Sequence, residues 1–140
     1  MKRPPAVRLR HLAVVVPTLD AADRDYGPRL GLSPCGRETV PTEGTRVSFA
    51  PIGSSRIEFL EPAGDGALTR FLARRGAGVH HVALEVPDLG AAMMRARAAG
   101  LRLIDPAPRP GAQGTRVAFV HPSTTHGLLV ELVERPAGDE

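Results

Sequence analysis

The chain has 140 residues, with 18 Lys and Arg against 15 Asp and Glu, and a net charge of +3. A hydrophobic fraction of 42% is ordinary for a globular protein and argues against extended disorder. With no Trp, one Tyr and four Phe there is no aromatic platform for nucleobases, and the basic residues are scattered among acidic ones. Nucleic acid is therefore not expected as a partner; an anionic small molecule fits better.

In chain order, Met1 to Val7 is expected to fray, and no apolar segment of the secretory type follows the basic start. Arg8 to Val16 is an apolar β-rich run ended by Pro17, and Leu19 to Leu30 carries a helical pattern closed by Gly31. Gly27-Pro28 disturbs the last turn of that helix. Arg37 to Val40, Thr45 to Ala50 and Arg56 to Glu61 are predicted as short strands between Pro/Gly turns. Gly66 to Arg75 is a linking helix. Val79 to Val86 is a strand, and Asp88 to Ala99 a helix with Asp88 as N-cap and Gly100 at its end. Strands follow near Arg102 to Ile104, Thr115 to Val120 and Leu128 to Glu134, before a frayed tail from Arg135 to Glu140. No stretch approaches the ~20 apolar residues of a membrane span, so no membrane partner is expected. Cys35 is the single cysteine and reads as an ordinary packed or surface thiol, which fits a reducing, cytoplasmic setting.

The sequence repeats itself. His11-Leu-Ala-Val-Val-Val-Pro-Thr-Leu-Asp-Ala-Ala22 aligns with His81-Val-Ala-Leu-Glu-Val-Pro-Asp-Leu-Gly-Ala-Ala92, an offset of 70. Gly44-Thr-Arg-Val-Ser-Phe49 aligns with Gly114-Thr-Arg-Val-Ala-Phe119 at the same offset. Ile57-Glu-Phe-Leu-Glu61 aligns with Val130-Glu-Leu-Val-Glu134 at an offset of 73, the longer turn His121 to Gly127 taking up the difference. Three matches in one order make two copies of one module. The predicted fold is α+β: a single domain over 1–140, made of module 8–62 and module 79–134 joined by a linking helix 66–75. Two tandem βαβββ modules would form a curved, cup-shaped mixed sheet with helices on the outer face and a concave face open to a ligand.

The repeat places His11 and His81 at the same point of the two first strands, and Glu58 and Glu131 at the same point of the two last strands. Singly, each reads as a satisfied strand histidine or a solvent-facing glutamate. As repeat-equivalent pairs they read as one metal site, because two imidazoles and two carboxylates suit a borderline divalent ion such as zinc, cobalt, nickel or iron. His11 shares a strand face with Ala13, and His81 with Ala83, which leaves room for an ion and a substrate. Glu61 and Glu134 also repeat but read as solvated strand ends. His80 must point away from His81 and reads as packing, or as support for the site from behind. His121 and His126 lie on a turn and read as exposed.

At these residues the sequence resembles the vicinal oxygen chelate (glyoxalase/bleomycin resistance/dioxygenase) superfamily, and within it the methylmalonyl-CoA epimerases, over roughly Leu9 to Glu134. The strings that carry the likeness are Arg10-His-Leu-Ala-Val-Val-Val16, Pro41-Thr-Glu-Gly44, Ile57-Glu-Phe-Leu-Glu-Pro62, Phe71-Leu-Ala-Arg-Arg-Gly76, Gly78-Val-His-His-Val-Ala83, Gly111-Ala-Gln-Gly114, Phe119-Val-His-Pro122 and Gly127-Leu-Leu-Val-Glu-Leu132. The resemblance implies metal ligation by His11, Glu58, His81 and Glu131, one divalent ion per chain with cobalt ahead of zinc, nickel, manganese or iron, an acyl-CoA substrate and a homodimer. The chain departs from the pattern at Val47, where some bacterial epimerases carry a second catalytic Glu, and at Ser123, where a Lys often follows the His-Pro pair.

The implied reaction interconverts (R)- and (S)-methylmalonyl-CoA. A free Glu, with a reference pKa of about 4.3, is too weak a base for such a carbon acid unless a cation stabilises the enolate. Inversion needs proton exchange on both faces of a planar carbon, and Glu131 and Glu58 are the expected pair, or Glu131 with a bound water. CoA phosphates are expected on surface arginines, with Arg74, Arg75 and Arg109 as candidates. One rival is a glyoxalase I-type lyase, but the last turn of that family usually reads Asp-Pro-Asp-Gly, unlike His121 to Gly127 here. A non-catalytic binding member of the superfamily commonly lacks the His/Glu set. A ring-cleaving dioxygenase takes a three-ligand set and a longer chain.

Overall fold

Proline supplies no N–H to a ladder, and Pro17 and Pro87 each stop a strand just ahead of a helix-capping residue, Thr18 and Asp88. In the computed structural model, which describes residues 7–135, this punctuation sets out two compact units. The tail residues 1–6 and 136–140, expected to fray, lie outside the described residues.

The first unit, His11–His80, takes up β1 (Arg8–Val15) from His11 onward, α1 (Leu19–Arg24), β2 (Cys35–Val40), β3 (Thr45–Ile52), β4 (Ser55–Pro62) and α2 (Ala67–Arg75). Its strands run in the order β2-β3-β4-β1, with β4 parallel to β1 and the other pairs antiparallel. The second unit, from His81 on together with the residues before His11, holds β5 (Gly78–Val86), α3 (Leu89–Ala98), β6 (Arg109–Pro110), β7 (Arg116–Val120) and β8 (Val130–Glu134). Here the order is β6-β7-β8-β5, with β8 parallel to β5. The registers coincide as well. Ala13 lies opposite Glu58 and Glu58 opposite Phe49 in one unit; Ala83 lies opposite Glu131 and Glu131 opposite Phe119 in the other.

Period-two alternation divides each sheet into two faces. In the first unit Val14, Val16, Ala50, Ile57 and Phe59 pack on Leu19, Ala22 and Tyr26 of the helical segment. In the second, Leu84, Val86, Ala118, Val120, Val130 and Leu132 pack on Leu89, Ala92 and Met93 of α3. Each fully buried Leu or Phe in these layers stabilises its helix–sheet contact by about 1.5–3 kcal/mol. The residues between them, His11, Ala13 and Val15 or His81, Ala83 and Glu85, are also buried but turn to the other face.

Both helices start with the same device. The N-cap side chain accepts a hydrogen bond from the third helical N–H: Thr18 Oγ1 from Ala21 at 3.1 Å, Asp88 Oδ1 from Ala91 at 3.0 Å. A glutamate from the end of the last strand takes the first N–H: Glu61 Oε1 from Leu19 at 2.9 Å, Glu134 Oε2 from Leu89 at 3.0 Å. The second carboxylate oxygen of each pairs with an arginine, Arg46 at 2.9 Å and Arg116 at 3.7 Å. Glu61 and Glu134 are therefore not solvated strand ends; a negative charge there satisfies orphan donors at the positive end of a helix.

Three other expectations change. The first helix stays α-helical only through Arg24 and continues as a wider π turn over Asp25–Arg29, because Pro28 cannot donate to the ladder. Arg102 to Ile104 is not a strand; a single bridge joins Leu103 to Val120, and the strand beside β7 is Arg109–Pro110. Pro106 and Pro108 interrupt the pairing, and the Asp105 carboxylate takes the Phe119 N–H at 2.7 Å in place of a ladder bond. Arg135, expected to be frayed, is fixed by its N–H to the Val86 carbonyl at 2.8 Å and by its guanidinium to buried Glu85 at 3.1 Å. Elsewhere Arg37 of β2 ties to α1 through Asp23 and Asp20, hydrogen bonds that push its guanidinium pKa up further. No helix among the described residues is long and apolar enough to cross a membrane.

Candidate functional site

Histidine at the fourth position of a strand that alternates buried and half-buried must face one side of its sheet, and in both units that is the side away from α1 or α3. In the first unit His11 Nδ1 lies 3.7 Å from Glu58 Oε2. In the second, His81 Nε2 lies 3.2 Å from Glu131 Oε1. All four side chains are buried, at 4%, 3%, 3% and 4% exposure for His11, Glu58, His81 and Glu131. The structure thus brings each predicted histidine onto its predicted glutamate, one pair per module, in repeat-equivalent register. Burial of a carboxylate is costly without a charged or hydrogen-bonding partner, and each of these glutamates has a histidine for one.

Each pair is flanked by a phenylalanine and an arginine. Phe49, opposite Glu58, lies under the Arg56 guanidinium at 5.0 Å. Phe119, opposite Glu131, lies under Arg109 at 5.1 Å and meets the His81 ring edge-on at 5.3 Å. The repeat strings ending in Phe49 and Phe119 carried this signal, since a Phe in both copies beside a Glu on the next strand is a layer of the site. The arginines come from non-equivalent places and left no trace in the pattern.

The remaining candidates sort by contact. His80 turns away from the His–Glu face and sets its ring against Phe71 of α2 at 4.9 Å. His121 is half-buried, its Nδ1 accepting the Ser123 N–H at 3.0 Å to close the turn. His126 is exposed and holds φ at +59°. Val47 is fully buried in β3 and offers no acid or base. Arg74 and Arg75 are exposed at the end of α2, whereas Arg109 is no loose surface arginine but is tied to buried Asp105 at 3.3 Å. Cys35 is an exposed free thiol.

A family model described as the glyoxalase/bleomycin resistance protein/dioxygenase superfamily matches residues 10–119, which takes in both histidines and Glu58. The chain belongs to that superfamily. Among curated relatives of this glyoxalase-superfamily protein, the ethylmalonyl-CoA/methylmalonyl-CoA epimerase of Cereibacter sphaeroides is 39% identical over 89% of this chain and 96% of its own length. The crystal structure of methylmalonyl-CoA epimerase from Mycobacterium tuberculosis superposes with a TM-score of 0.87 at 31% identity, over 91% of this chain and 87% of that one. A Streptomyces coelicolor methylmalonyl-CoA epimerase in complex with 2-nitronate-propionyl-CoA gives 0.90 at 33% identity, over 95% and 97%. The α+β fold is that of the superfamily.

Proposed function

We propose that this glyoxalase-superfamily chain is a methylmalonyl-CoA epimerase, a metal-dependent isomerase acting on an acyl-CoA. The observation that carries the reading is the buried His–Glu pair repeated, register for register, in both modules. Identity of more than a third to an epimerase acting on methylmalonyl-CoA, along nearly all of both chains, supports the substrate.

In this proposal His11, Glu58, His81 and Glu131 hold one divalent cation per chain, cobalt in the first place. The donor chemistry fits: two imidazoles and two carboxylates are a ligand set for a borderline first-row ion, and with neutral imidazoles the carboxylates carry the charge that such an ion cancels. When bound, the cation acts as a Lewis acid that stabilises negative charge developing on the acyl oxygens. Glu131 accepts the α-proton on a carboxylate oxygen, and the C–H electron pair moves toward the thioester carbonyl, leaving the α-carbon planar. Glu58, from the other module, would act in its carboxylic form, with a proton taken beforehand from solvent, and give that proton to the opposite face. Glu131 then returns its own to solvent, so the substrate exchanges one proton and only its configuration changes. With Val47 at the β3 position where some epimerases carry a Glu, this reading takes Glu58 as the second acid, a bound water being the alternative. Alanine at 13 and 83, beside the histidines, keeps bulk away from the reacting group.

Deuterium incorporation at the α-carbon of methylmalonyl-CoA in deuterated water tests the reading. Exchange that disappears with chelator and returns with added cobalt is expected. No exchange with any of cobalt, zinc, nickel, manganese or iron overturns it.

A further inference from the structure

The acyl end of a malonyl-type thioester differs from an ordinary acyl-CoA by one free carboxylate, which a fixed cationic side chain beside a His–Glu pair can help to read. One arginine of the second unit is built into that position. Asp105 is buried, with 7% exposure, and its two oxygens do different things: Oδ2 accepts the Phe119 N–H at 2.7 Å, and Oδ1 faces Arg109 Nε at 3.3 Å. That ion pair, together with the Phe119 ring 5.1 Å below the guanidinium, fixes Arg109 on the face where Phe119 meets His81. The backbone beside it is equally constrained. Gly111 has no room for a Cβ, which would fall 2.7 Å from Val117 Cγ1, so the strand Arg109–Pro110 is drawn tight against β7. Nε is the atom turned to Asp105, and the side chain as a whole is 35% exposed.

Guanidinium is the group that binds carboxylate through two parallel hydrogen bonds, and one pre-fixed by a buried aspartate loses little side-chain freedom on binding. Arg109 is separated from the His81 imidazole by a single aromatic ring. The phosphates of CoA lie at the far end of the pantetheine arm, about a dozen bonds from the thioester, so a group this near the His–Glu pair meets the acyl end first. We propose that Arg109 binds the free carboxylate of the acyl group and sets the preference for dicarboxylic acyl-CoA thioesters, with Asp105 as its positioning residue. This rests on the epimerase reading for its substrate and adds the residue that selects it.

The test is binding by calorimetry of methylmalonyl-CoA, propionyl-CoA and free CoA to the metal-loaded wild type and to Arg109→Gln, with Arg109→Lys and Arg56→Gln alongside. Loss of a charge-assisted bidentate contact is expected to weaken methylmalonyl-CoA by about tenfold or more in Arg109→Gln, with propionyl-CoA and CoA within about twofold of wild type. Arg109→Lys is expected to recover part of the loss, and Arg56→Gln to leave the preference in place. Equal weakening of all three ligands would assign Arg109 to the CoA phosphates and overturn the proposal. So would an unchanged preference in Arg109→Gln, or its loss in Arg56→Gln instead. A wild type that does not distinguish methylmalonyl-CoA from propionyl-CoA would sink the epimerase reading itself, and this proposal with it. Thermal melting and metal content of each variant show whether the fold and the His–Glu pairs survive.

Discussion

Replacing Glu61 by Ala removes one carboxylate that does two jobs, and the two can be weighed separately. Its Oε1 receives the Leu19 N–H at 2.9 Å, a charge-assisted bond to the first donor of α1. Its Oε2 pairs with Arg46 at 2.9 Å, but Arg46 is 44% exposed, so solvent screens that pair. The first contact is worth about 1.5–3 kcal/mol and the second about 0.2–1 kcal/mol. Urea unfolding of Glu61→Ala should therefore show a loss of about 2–3 kcal/mol at unchanged m. Most of that loss should persist in an Arg46→Ala background, with a coupling energy under about 1 kcal/mol. The equivalent Glu134→Ala should cost less, about 1–2 kcal/mol, since its arginine stands at 3.7 Å and its side chain is more exposed, 28% against 18%. A change within about 0.5 kcal/mol for Glu61→Ala would refute the capping role and return the residue to the solvated strand end that its sequence suggests.

The other predictions are simpler. Glu131→Ala should abolish turnover and weaken metal binding while the fold survives; near-normal epimerisation would remove Glu131 from the reaction. Gly111→Ala should destabilise by about 1–3 kcal/mol through the clash at Val117, seen as a lowered melting temperature; an unchanged melt would mean the β6–β7 approach is slack. Alkylation of Cys35 with iodoacetamide should go to completion in the native protein, as expected for an exposed free thiol. A thiol that reacts only after unfolding would contradict that.

Much of this was legible in the chain because the two modules obey one pattern. The offset of 70 that aligns His11 with His81 also aligns their burial, residue by residue from 11 to 20 and from 81 to 90, and again from 45 to 50 and from 115 to 120. Strand periodicity converts such a repeat directly into faces, which is why the histidines and glutamates could be paired before any coordinates. What stayed hidden depends on partners brought together by folding. Glu61 and Glu134 visibly repeat, yet nothing in a strand-end glutamate says that a helix starts beside it. Arg102 to Ile104 looks β-prone, but Asp105 and the prolines after it decide the pairing. Arg109 sits in a proline-rich stretch with no periodicity, and only its approach to Asp105 and Phe119 sets it apart from the other arginines.

The central claim is that the two His–Glu pairs, one from each module, serve a single cation. Anomalous diffraction at the cobalt edge, from crystals of the protein loaded with cobalt, tests it directly. The account predicts one ion per chain bonded to His11, Glu58, His81 and Glu131 at about 2.0–2.2 Å. An ion held by the pair of one module alone, or by other residues, would contradict it.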